Sequence, residues 1–228
     1  MDKTTVIGII LTFALVVASQ AQLVISEIMY NPASSDSDWE WIEIVNTGNS
    51  AVNLNGYVLD DLAGAALDSA NIAGGTIQAG GTAVLFDSSN DVLSLEAVWG
   101  VGINWIEVTN WGALNNTGDT IGLWDSFSSY AGKNFDNAET TLTYTDSSPF
   151  PVDDGSSSIY LTALGDLNDG ANWSLSVAGV DGAFTGVEGV NNNIGSPGIT
   201  TIPEPSILGM IGIGIAVLAG LRKVRDNF

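Results

Sequence analysis

The chain has 228 residues, no cysteine, no histidine and a formal net charge of −21, with five basic residues against 26 acids. Without cysteine there is no disulfide framework and no thiol chemistry, and without histidine the Ser-His-Asp and Cys-His mechanisms and most zinc sites are excluded. Lys133 is the one base between Gln22 and Ile202, while Asp2, Glu204 and Asp226 are the only acids outside that stretch, so the middle of the chain repels phosphate backbones and nucleic acid is not expected as a partner.

In chain order, residues 1–21 read as a secretory signal peptide. Lys3 and the amino terminus outweigh Asp2, an apolar run follows from Val6 to Ala18, and Ser19 and Ala21 supply small residues at the −3 and −1 positions. The mature chain would then begin at Gln22, with the secretion machinery as first partner. An uncleaved anchor helix is the alternative, but the run is short for a span.

Residues 22–198 carry no long apolar repeat of helical period. Short β-rich segments alternate with Gly, Asn, Asp and Ser instead: Leu23–Tyr30, Trp39–Asn46, Val52–Asp60, Thr82–Asp87, Thr120–Trp124, Thr141–Thr145, Ser158–Thr162 and Trp173–Val177. Thr47-Gly48-Asn49, Asn55-Gly56, Ala79-Gly80-Gly81 and Asn116-Thr117-Gly118-Asp119 mark turns between them. Many short strands at close spacing predict an all-β domain, an antiparallel β-sandwich. Asp91–Val98 is the one helical candidate. Glu27 is expected on the strand face of Ile25 and Met29, and Glu43 on the face of Trp39, Trp41 and Val45. With one lysine in the domain, shielded carboxylates there must turn to backbone N–H groups or hydroxyls.

Leu23–Pro32, Glu40–Asn46 and Val52–Asp60, followed by Ile77–Gly81, Leu114–Leu123, Trp173-Ser174 and Ser196-Pro197-Gly198, resemble a lamin-tail domain. The resemblance spans nearly the whole of 22–198 and implies an immunoglobulin-like β-sandwich that binds or scaffolds rather than catalyses. The stretches after Leu62 and Leu123 run longer than that pattern and are expected as extended loops.

Other chemistry can be weighed on the residues themselves. Asp36, Asp38, Glu40 and Glu43 cluster beside Trp39 and Trp41, so a carboxylate-based hydrolase is one alternative. Trp39, Trp105, Trp111 or Trp124, if exposed, would give a carbohydrate-binding module its platforms. Calcium is the one cofactor the acids suggest, with Asp166, Asn168 and Asp169 as the best candidates, and Asp87–Asp91 and Asp153-Asp154-Gly155 behind them. The 166–170 stretch is shorter than an EF-hand opening and lacks its distal Glu, so a turn rich in Asx residues is the competing reading.

Residues 199–228 form a separate tail. Pro203-Glu204-Pro205 is followed by an apolar run over 207–221 and the basic residues Arg222, Lys223 and Arg225 of the end 222–225. As a transmembrane helix the run is about 22 Å long against a hydrocarbon core of about 30 Å, and the basic end then belongs in the cytoplasm. This order of elements resembles a PEP-CTERM sorting signal. The resemblance implies that an exosortase cuts near Pro203-Glu204-Pro205, leaving the domain at the cell surface or in the extracellular matrix, where polysaccharide or surface proteins are the expected neighbours. An ordinary tail anchor is the alternative.

Overall fold

The computed structural model describes residues 23–186, 192–200 and 202. The expected signal peptide, with Ser19 and Ala21, lies outside the described residues, as do Pro203, Glu204, Pro205, Arg222, Lys223 and Arg225 of the expected tail. Among the described residues no helix is long and apolar enough to cross a membrane.

Among the described residues thirteen strands form, because β-branched and aromatic runs are interrupted every few residues by turn formers: β1 Leu23–Met29, β2 Trp41–Asn46, β3 Val52–Asn53, β4 Val58–Asp60, β5 Thr76–Ile77, β6 Thr82–Asp87, β7 Trp105–Val108, β8 Gly118–Trp124, β9 Thr140–Thr145, β10 Ile159–Leu161, β11 Trp173–Leu175, β12 Phe184–Thr185 and β13 Ile194–Gly195. A six-stranded sheet in the order β11-β10-β1-β2-β6-β7 faces a three-stranded sheet in the order β4-β8-β9, and β3-β5 and β12-β13 form two small pairs. Ile25, Ile28, Ile42, Ile44, Leu85 and Ile159 of the first sheet share one buried cluster with Leu59, Ile121, Leu123, Leu142 and Tyr144 of the second. Each such side chain removed from water contributes about 1.5–3 kcal/mol, so this layer holds the sandwich together. The expected all-β, immunoglobulin-like class is borne out.

The large sheet is buried on its outer side as well. Helix α1 spans Asp36–Trp39, and α2 spans Val92–Trp99. Leu95, Val98 and Trp99 of α2 cover Met29, Trp41, Val84 and Phe86, and the 194–198 segment covers Glu27 and Glu43, so β1 and β2 are buried at every position instead of at alternate ones. Asp91 caps α2 by accepting the Leu93 N–H at 3.0 Å, and Gly100 ends it at a φ of 96°. The helix is the crossover that lets β6 and β7 pair in parallel, the one departure among the paired strands from the antiparallel arrangement expected. The segment expected as one strand over Val52–Asp60 is two, β3 and β4, divided at the Asn55-Gly56 turn. Helix α3, Phe127–Tyr130, follows β8 and packs with Trp124 and Val58 on the outer side of the small sheet.

Candidate functional site

The site begins with an irregularity in β1. Ile25 pairs with Ile44 but Glu27 pairs with Glu43, so Ser26 is an extra residue, a β-bulge that turns the strand over. Ile25 therefore enters the sandwich core while Glu27 joins Met29, Glu43 and Trp41 on the outer face. The expectation that Glu27 shares a face with Ile25 is corrected by that bulge.

Glu27 and Glu43 thus stand directly opposite each other on neighbouring strands, each 1% exposed. Lys133 cannot neutralise them, because it lies beside Asp60 and Tyr130 at the other sheet. Hydrogen-bond donors do so in its place. Glu27 Oε1 accepts the Ser196 N–H at 2.8 Å and the hydroxyls of Ser158 at 2.5 Å and Ser176 at 3.4 Å, while Oε2 accepts the Ser196 hydroxyl at 2.6 Å. Glu43 Oε1 accepts the Ser26 hydroxyl at 2.7 Å and Oε2 the Gly198 N–H at 2.6 Å. Backbone N–H groups and hydroxyls are the partners the sequence led us to expect. Burial raises the affinity of Glu27 for a proton, and the Ser158, Ser196 and Ser176 bonds oppose it. Glu43 is raised well above the ordinary carboxylate range, first by burial and then by the charge of Glu27.

Half of those donors come from one short segment. β13 and the residues after it run over the outer face of β1 and β2, and Gly195 makes this close approach workable. A Cβ there would stand 3.0 Å from Trp41 Cζ2, 3.1 Å from Ser158 Oγ and 3.2 Å from Glu27 Oε1. The segment continues to Ile202, which is 6% exposed and belongs to the main core.

A third acid, Glu40, is buried where α1 meets β2. Its Oε2 accepts the Trp111 indole N–H and the Leu114 N–H, both at 3.1 Å. Burial pushes it up to about 7, with those two bonds opposing and the charges of Asp36 and Asp87 adding to the rise.

The remaining candidates are dispersed. Asp36 is half-buried and Asp38 exposed on α1, Glu40 is buried beneath Trp111 and Leu114, and Glu43 lies under the 194–198 segment, so the four acids do not share a cleft. Asp166 accepts the Asn168 N–H and Asp169 the Ala171 N–H, both local turn bonds, while Asn168 accepts the Thr143 N–H of β9, so each of the calcium candidates is engaged by a backbone group. Among the described residues, no three acidic side chains gather as a metal site would need. Trp124, a platform only if exposed, is fully buried and stacks on Phe135. Trp39 and Trp105 are half-buried against the cluster under α2, and Trp111 against the main core. Sequence reasoning missed Ser158, Ser176, Ser196 and Gly198 as donors. Their bonds to the two acids span 131, 149, 169 and 155 residues, and Ser196-Pro197-Gly198 was visible only as part of the family pattern.

Comparison with curated proteins and with solved structures gives no match. Residues 201–223 match the PEP-CTERM protein-sorting motif, which supports a secreted protein processed at the membrane by an exosortase and delivered to the cell surface. Residues 17–164 match the Lamin Tail Domain family, covering the bulged β1, the β1-β2 acid pair and strands β1 to β10, and the chain is a member of that family.

Proposed function

We propose that the mature chain is a non-catalytic structural, adhesive or recognition module of the cell surface or extracellular matrix. The donor saturation of the Glu27–Glu43 pair carries this reading. The two most deeply buried acids face N–H and O–H groups of the fold itself, with the 194–198 segment laid over them, so they serve the architecture and not a substrate. A hydrolase would need two acids flanking one bond. In this reading cleavage after Ala21, with Ser19 at the −3 position, releases the domain 22–198 outside the cell. The tail 199–228 then holds it at the membrane, with Arg222, Lys223 and Arg225 inside, until exosortase cuts near Pro203-Glu204-Pro205.

Fractionating cells with and without exosortase tests it. With the enzyme, the domain should appear in the surface or matrix fraction, shortened by the tail. Without it, the full chain should stay with the membrane, and an unchanged distribution would refute the reading.

Carbohydrate binding is the second reading, favoured by one observation. Half-buried Trp105 lines a groove of about 300 Å³ with Phe86, Ile106 and Glu107, an aromatic face beside a carboxylate. Retention on matrix polysaccharide that is lost in Trp105→Ala would support it, and no retention on any glycan would end it.

A further inference from the structure

We propose that the sparsely charged region of the domain around Ile199 is a lipid-facing surface, seated on the extracytoplasmic leaflet while the tail is in the membrane. The inference rests on the reading of 207–221 as a membrane segment.

Charge is the first observation. In a chain with 26 acids, residues 97–106 and 192–202 contain no charged side chain and residues 170–186 contain only Asp181. Asp181 is exposed, and its carboxylate accepts the Tyr160 hydroxyl at 2.7 Å. The fold collects these three stretches. Gly198 packs on Ile103, Gly182 packs on Ile199, and β12 pairs with β13. These stretches carry a single exposed carboxylate, so this part of a strongly acidic protein repels anionic headgroups only weakly.

Exposed apolar side chains are the second observation. Val101 is 83% exposed, Val177 54%, Val180 47% and Ile199 45%, and all four lie on these three stretches, with Leu93, Val152 and Leu164 exposed elsewhere. Such residues standing singly need no explanation, but here they lie on stretches that meet at Gly198 and Ile199, a few residues before Ile202.

The tether is the third. Ile202 is buried, its N–H donating to Thr200 Oγ1 at 3.1 Å, so the domain holds the chain up to that residue. Residues 203–206 separate it from the apolar run and reach at most about 18 Å fully extended. Ile199, three residues before the anchor point, then stands within reach of the headgroups. Valine and isoleucine side chains enter that boundary readily, whereas carboxylates there would lose hydration without gaining a partner.

The chain has no cysteine, so single cysteines can report position. Val101→Cys, Val180→Cys, Ile199→Cys, Gly212→Cys and the exposed Ser128→Cys of α3, at the opposite sheet, are each labelled with an environment-sensitive fluorophore. The full chain is then reconstituted in phosphatidylcholine vesicles carrying spin-labelled lipid quenchers. The inference expects a blue shift and loss of emission to headgroup-level quenchers at positions 101, 180 and 199, no change at 128, and loss to deep quenchers at 212. Quenching at 212 with the three sites behaving like 128 overturns the inference and leaves the tail reading standing. No quenching at 212 overturns the membrane reading of the tail and this inference with it.

Discussion

At the residue scale, Glu27, Glu43 and Glu40 set the pH response. Each holds its proton more tightly in the folded chain than at the ordinary value of 4.5, chiefly because burial penalises the charge. Their share of the stability is complete below about pH 4.5 and is lost as pH rises through the folded-state values, for Glu40 between about 4.5 and about 7. The domain should therefore melt higher at mildly acidic than at mildly alkaline pH. Glu43→Gln isolates the effect. Its amide oxygen can still accept the Gly198 N–H while the NH2 turns to the Ser26 hydroxyl. We expect urea unfolding of this variant to gain about 1 kcal/mol at about pH 8, to change little at about pH 5, and to follow a flatter pH profile. Glu43→Ala leaves the Gly198 N–H unpaired and should cost about 2 kcal/mol at about pH 5. Parallel pH profiles for the parent and Glu43→Gln would contradict this account.

At the element scale, the 194–198 segment is the critical piece. Gly195→Ala would force a methyl against Trp41, Ser158 and Glu27 and should destabilise by about 1–3 kcal/mol, read as a lower urea midpoint with an unchanged slope. Strands β1, β2, β6, β8 and β9 were legible because β-branched and aromatic runs between turn signals need no tertiary context. The parallel strand β7 was not, although Trp105-Ile106-Glu107-Val108 alternates half-buried or exposed with buried positions. It follows a glycine-rich loop and finds its place only through the α2 crossover. β12 and β13 have two residues each, too few for any period to show. The bulge at Ser26 was invisible because strict alternation assumes an unbroken ladder. The acid pair was therefore legible as two shielded carboxylates with N–H and hydroxyl partners. Their mutual opposition and the identity of the donors were not, since both depend on contacts across more than a hundred residues.

At the scale of the whole molecule, nearly all the acids share one domain with Lys133 alone among bases, so folding brings like charges together. Raising sodium chloride from about 10 mM to about 150 mM shortens the screening length from about 30 Å to about 8 Å and should raise the melting temperature. No rise on added salt would mean that surface repulsion contributes little. The order of the chain adds a consequence of its own. In the proposed export from the amino terminus, Glu27 and Glu43 cross the membrane early, whereas Ser196 and Gly198, their backbone donors, are among the last residues of the domain to emerge. The emerging domain must wait, with an unfinished face, until its own final residues arrive. A protease cutting a few positions upstream of Pro203 would strip away Ile202 or those donors, so the fold itself marks how far back the tail can be trimmed before the product comes apart.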